Sequence, residues 1–176
     1  MRTLAKFLLK LGGWKLVGEF PNEPKMMLIA VPHSSAWDAY WGFLVKIGYD
    51  MNISFLGKKE AFWFPLGILL RWLGGQPIDR HSASGVVDQV AKSFQDNDRK
   101  WVILAPEGTR RAVTRWRSGF WHIAKQANVP LAGIYFDYPS KTIGLGPVFE
   151  LTDDLDADLE RIRAWFKPYF GKHRGV

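Results

Sequence analysis

Apolar and polar positions along this chain follow two periods in turn, and the switching between them predicts the architecture. Apolar runs at Met26–Val31, Ile53–Leu56, Trp101–Ala105, Leu131–Phe136 and Ile143–Phe149 read as strands of a buried sheet. Between most of them the spacing turns helical: Val86, Val87, Val90, Ala91 and Phe94 make one stripe, and Phe120, Ile123, Ala124 and Ala127 another. Strands alternating with helices predict an α/β fold with a mixed, mostly parallel central sheet flanked by helices. At 176 residues, with no repeat or linker, the chain is expected to form a single domain.

The two ends carry patterns of their own. Arg2, Lys6 and Lys10 fall four apart while Leu4, Phe7, Leu8 and Leu11 recur at helical spacing, so an amphipathic N-terminal helix is expected, ended by Gly12-Gly13. A basic amphipathic helix lies flat on an anionic membrane or packs on its own domain with solvated lysines; both readings stand. Residues 1–20 are assigned to this membrane-associating segment, 26–150 to the core and 151–176 to a C-terminal surface helix, Leu155–Phe170, with acids at its N-terminal end as the macrodipole favours. No chemistry is expected of that tail, whose His173 reads as frayed. The run Ala61–Leu73, interrupted by Pro65 and Arg71, falls short of the roughly 20 residues a bilayer span needs. It is either a core helix or an aromatic segment dipping into an interface.

Composition narrows the partners. Lys and Arg number 24 against 17 acids, a formal charge of +7, which suits anionic lipid, a phosphorylated substrate or nucleic acid. Nine Trp and twelve Phe favour the lipid, and no fingerprint of nucleic-acid binding accompanies the charge. The absence of cysteine closes off disulfides, thiolate metal sites and a Cys nucleophile. Metal-ligand spacings and Rossmann or Walker fingerprints are absent, since Gly144-Leu145-Gly146-Pro147 runs into a strand pattern, so no metal or bound cofactor is expected. The opening residues, broken by cations and lacking a small-residue cleavage site, do not read as a signal peptide. The expected location is the cytoplasmic face of the cell membrane, peripheral or monotopic, without a full span.

Candidate chemistry begins at His33-Ser-Ser-Ala-Trp-Asp38, just after the first apolar run. With Asp38 in the first turn of a helix, its carboxylate can reach back to one imidazole nitrogen of His33 and leave the other free as a general base. The same residues also fit a capping box, in which Asp38 accepts the Ser35 amide, and Asp38 can serve both ends. A second group, Glu107-Gly108-Thr109-Arg110, leaves another apolar run; Gly108 permits close backbone approach and Arg110 offers a planar fork suited to phosphate. From charge alone it also fits a solvated basic loop with Glu107 paired to an Arg. A third, Gly74-Gly75-Gln76-Pro77-Ile78-Asp79-Arg80, forces a turn before a short extended segment.

Taken in order, these three motifs and the apolar, Pro-containing block Val129–Ile134 resemble the glycerolipid acyltransferase family, which includes lysophosphatidic acid acyltransferases. The resemblance runs from about Met26 to Phe136, with Gly133 standing where many members have a second Pro. It implies transfer of an acyl group from acyl-CoA or acyl carrier protein to a free hydroxyl of a lysophospholipid such as 1-acylglycerol-3-phosphate. By resemblance His33 is the base and Asp38 its orienter. Arg80 and Arg110 would hold the acceptor phosphate, with Glu107, Gly108 and Thr109 shaping that pocket. Two other readings stay open: an esterase or thioesterase using the dyad to activate water, and a non-enzymatic basic module on membranes or nucleic acid.

Overall fold

The computed structural model describes residues 1–78 and 83–176. Its centre is a seven-stranded sheet made of β1 (Lys15–Val17), β2 (Lys25–Val31), β3 (Ile53–Lys58), β4 (Gly75–Ile78), β5 (Lys100–Leu104), β6 (Leu131–Asp137) and β7 (Thr142–Phe149). In space the order is β1-β7-β6-β2-β5-β3-β4, and each neighbouring pair is parallel except β6 and β7. The α/β expectation therefore holds, with one antiparallel pair in an otherwise parallel sheet.

The sequence of β2 explains its central place. Met27, Ile29 and Val31 point into one core and Met26 and Leu28 into the other, and all five are completely buried. A strand with a helix layer on each face needs apolar residues at successive positions rather than alternate ones. On one face lie α1 (Arg2–Leu11) and α2 (Ala36–Gly48), which contribute Ala5, Leu9, Leu44 and Val45. The other is covered by α4 (Ala83–Gln95), α5 (Gly119–Ala127) and α6 (Leu155–Phe166), through Val90, Phe94, Phe120, Ile123, Ile162 and Phe166. Completely burying each large aliphatic or aromatic side chain is worth about 1.5–3 kcal/mol.

Several elements differ from expectation for identifiable reasons. The strand β1 has three residues and no fully buried one, so periodicity carries no trace of it. The extended segment after Gly74 is the edge strand β4; Pro77 is tolerated there because an edge strand has a side that needs no donor. The C-terminal helix stops at Phe166 rather than Phe170, and it is no mere surface helix, since Ile162 and Phe166 are completely buried in the core. At Gly133, where the resemblance has a second Pro in many members, a side chain would strike Phe166 and press on Phe149, so the glycine serves sheet-to-helix packing.

The apolar run near α3 (Leu66–Trp72) divides. Phe62 is buried and packs against the glycines of β3 and β4, where a Cβ would lie 2.8 Å from its ring at Gly57 and 3.1 Å at Gly75. Trp63, Phe64, Ile68, Leu69 and Trp72 are exposed, Phe64 at 79%. In α1 likewise, Ala5 and Leu9 are buried while Leu4, Phe7 and Leu11 face solvent. Two of the three N-terminal cations are engaged locally, Arg2 with Asp50 and Lys6 over the Tyr49 ring at 4.7 Å. Among the described residues no helix is long and apolar enough to cross a membrane.

Candidate active site

The carboxyl ends of β2, β5 and β6 lie side by side, because β2 pairs in parallel with both neighbours. The chain moves to one side of β2 for β3 to β5 and to the other for β6 and β7, so a crevice opens at this switch point. His33 follows β2, Glu107 follows β5 and Tyr138 follows β6. Residues 105 positions apart in sequence thus share one edge of the sheet.

His33 and Asp38 meet as expected. His33 Nδ1 stands 3.2 Å from Asp38 Oδ2, with the imidazole 30% exposed and the carboxylate 2%. Asp38 is also the third residue of α2 in a capping box with Ser35, whose hydroxyl oxygen accepts the Trp37 amide at 3.2 Å. Its Oδ2 accepts the amides of Ser34 and Ser35 at 2.8 and 2.9 Å, and its Oδ1 accepts the Tyr138 hydroxyl at 2.7 Å. Burial opposes charge on Asp38, but hydrogen bonds from His33, Tyr138 and Ser35 outweigh it and hold the carboxyl below its usual range. Burial, with the bond to Asp38 added, pushes the Tyr138 phenol well above its ordinary value. Asp38 is therefore a fixed anion that holds the ring of His33 through Nδ1, and His33 lies among the residues that line the cleft.

The second motif forms the opposite wall. Gly108 has a φ of 66°, and a side chain there would lie 2.6 Å from Arg117 Nε, so both backbone and space require glycine. Gly108, Thr109 and Arg110 line the cleft, with Arg115 and Arg117 beside them. Thr109 Oγ1 accepts the Arg111 amide at 3.3 Å, tying the turn. Glu107, expected at the acceptor, is instead turned inward and completely buried. Its Oε2 accepts the His33 amide at 2.7 Å and its Oε1 accepts Arg174 Nη1 at 2.9 Å. A carboxylate so occupied holds the His33 loop and contacts no solvent. Arg80 lies outside the described residues.

Two residues at the site escaped the sequence reading. Tyr138 and Arg174 carry no local signal, since Tyr138 reaches Asp38 across 100 positions and Arg174 reaches Glu107 across 67 and His33 across 141. The tail read as frayed is held down: the His173 amide donates to Ser34 Oγ at 3.3 Å and the Tyr138 amide to the Phe170 carbonyl at 2.9 Å. Among the described residues, no group of three His, Asp or Glu side chains is placed to hold a metal ion.

A His–Asp pair thus stands at the carboxyl end of a central parallel strand of an α/β fold, beside an arginine-rich wall. The profile of the Acyltransferase family matches residues 17–137, and the chain belongs to that family. The fold is similar to that of the 1-acyl-sn-glycerophosphate (LPA) acyltransferase PlsC from Thermotoga maritima, with a TM-score of 0.59. That likeness covers 92% of this chain and 74% of the other at 16% identity, and so concerns the fold. No curated protein sequence matches the chain.

Proposed function

We propose that this acyltransferase esterifies a free hydroxyl of a lysophospholipid, 1-acylglycerol-3-phosphate or a close relative, using acyl-CoA or acyl carrier protein as donor. The observation that carries the reading is the His33 imidazole, partly exposed and held through Nδ1 by buried Asp38, lining the same cleft as Arg110. In this mechanism His33 Nε2 removes the acceptor's hydroxyl proton as the oxygen attacks the thioester carbonyl carbon. The tetrahedral intermediate collapses, the carbon–sulfur bond breaks, and the imidazolium returns the proton to the departing thiolate. Arg110 and Arg80 bind the acceptor phosphate, with Gly108 and Thr109 shaping the turn, and no further cofactor takes part. Beyond His33 the cleft is lined by Gly42, Phe43, Phe55, Ile103 and Phe136, an apolar path suited to an aliphatic chain.

The exposed apolar residues of α1 and of the α3 region support docking on a membrane surface. Trp14, Trp41, Tyr40 and Trp37 form a chain of ring contacts at 5.2, 4.9 and 5.5 Å, leading from the end of α1 to the residue beside the capping box. A membrane-resident acceptor would thus meet the protein near the cleft mouth. Because Arg2 and Lys6 are engaged within the protein, binding should rest more on aromatic burial than on charge, and Trp63→Ala with Phe64→Ala should weaken vesicle sedimentation at every salt concentration.

The deciding assay follows thiol release from acyl-CoA and from acyl carrier protein, with and without 1-acylglycerol-3-phosphate. Release that requires the acceptor, with a diacyl product by mass spectrometry, supports the proposal; acceptor-independent release supports the esterase or thioesterase reading. Arg110→Ala should raise the KM for the phosphorylated acceptor while sparing an unphosphorylated one. Equal losses on both would remove Arg110 from the phosphate site.

A further inference from the structure

The tail after α6 crosses the ends of three neighbouring strands before it finishes. Phe170 exchanges backbone contacts with the end of β6, accepting from the Tyr138 amide and donating to Asp137 Oδ1 at 3.1 Å. Gly171 then presses on Ser34 next to His33, so closely that a side chain on it would lie 2.5 Å from Ser34 Oγ. Arg174 completes the crossing at the loop after β5. Its Nη1 donates to Glu107 Oε1 and to the Gly175 carbonyl, each at 2.9 Å, its Nη2 to the His33 carbonyl at 3.2 Å, and its Nε to the Arg110 carbonyl at 3.4 Å. The side chain is 17% exposed.

We propose that Arg174 is a positioning residue that sets His33 against the acceptor wall by locking the His33 loop to the Glu107–Arg110 loop. The backbone of His33 is gripped at both of its polar groups, the N–H by Glu107 and the C=O by Arg174, and the two grips are ion-paired with each other. Each link is charge-assisted, and the planar fork is what allows one side chain to reach both loops at once. An alternative role is charge compensation alone, because a buried carboxylate such as Glu107 is costly without a cation. Lysine separates the two: an ammonium neutralises Glu107 but cannot span its carboxylate and the carbonyls of His33 and Arg110 together.

The inference rests on the acyl-transfer reading for its kinetic arm, and a second arm is independent of activity. Arg174→Lys should keep a melting temperature near that of wild type yet lose about 10- to 100-fold in kcat, with the donor KM little changed. Arg174→Ala should lose at least as much, and added guanidinium ion should restore part of it. In amide hydrogen exchange followed by NMR, the His33 amide should exchange about tenfold faster or more in Arg174→Lys and in Glu107→Gln, while Leu28 and Ile29 keep wild-type rates. A Lys variant with wild-type kcat, or a folded Ala variant that guanidinium does not help, overturns the proposal. Should wild type transfer no acyl group, the exchange arm decides, and unchanged His33 exchange in both variants overturns it.

Discussion

Asp38 and Asp158 make the instructive pair in this molecule. Each lies in the first turns of a helix, each is nearly inaccessible at 2% and 1% exposure, and each is held by several donors that include an aromatic side chain. Asp158 accepts the Thr152 amide at 2.7 Å, Trp121 Nε1 at 2.9 Å and Arg161 Nη2 at 2.8 Å. For both, burial acts against the charge and hydrogen bonding outweighs it, so both carboxyls stay below their usual range. The difference lies on the far side of the partners. Asp158 ties α5 and the β7–α6 connection to α6 through groups whose other contacts are structural, whereas Asp38 holds His33, a partly exposed histidine that lines the cleft. A buried, strongly hydrogen-bonded aspartate therefore marks a rigid joint, and it marks a candidate reactive centre where the joint presents a titratable group to a cavity.

The largest expected effect comes from removing that presented group. His33→Ala should lower kcat by about 10²- to 10⁴-fold with little loss of stability, because the ring is partly exposed and packs no core. A folded variant that still transfers acyl groups at the wild-type rate would end the His33 assignment. Asp38→Asn should cost nearly as much in kcat and also about 1–3 kcal/mol in stability, since a neutral amide loses the charge that strengthens the bonds from Ser34, Ser35 and His33, and its NH2 cannot accept the Tyr138 hydroxyl.

Asp158→Asn sharpens the contrast from the other side. It should cost about 2–4 kcal/mol in denaturant unfolding and leave kcat per folded molecule unchanged. A drop in kcat comparable to that of Asp38→Asn would dissolve the distinction. Stability against pH should not separate the two residues. A carboxyl whose folded pKa lies below its unfolded value contributes stability that is present above the ordinary value of 3.8 and is lost as pH falls through the folded value. Both variants should thus flatten the acid limb of the stability profile in the same sense. The smallest effect belongs to Tyr138→Phe, which removes one of the donors to Asp38; kcat should fall about 3- to 10-fold, with both KM values retained.

Legibility in the sequence followed distance along the chain. The capping box and the His33–Asp38 pair span six residues, so local helix geometry alone brings them together, and the same carboxylate makes both contacts. Gly108 was readable because a positive φ selects glycine. The direction of Glu107 was not: its motif lies beyond β5, and only the β2–β5 pairing turns the carboxylate onto the His33 amide. Phe62 and Trp63 are adjacent aromatic residues, yet one fills the space above two glycines and the other meets solvent. No pattern of residue types distinguishes them.

What the sequence by itself determined is whatever depends on local period and on spacing within a turn or two: the doubly buried strands, the helical stripes, the Ser35–Asp38 cap and the placement of two motifs after strands. The tertiary structure decided the rest. It chose the strand order that sets β2 between β5 and β6, and so gave His33 its neighbours. It also recruited Tyr138 from 100 positions away and Arg174 from 141, neither of which any short-range rule could select. The physical reason is that a side-chain hydrogen bond reaches only about 3 Å. Long-range partners are therefore named only once the sheet has been assembled and the tail has crossed its edge.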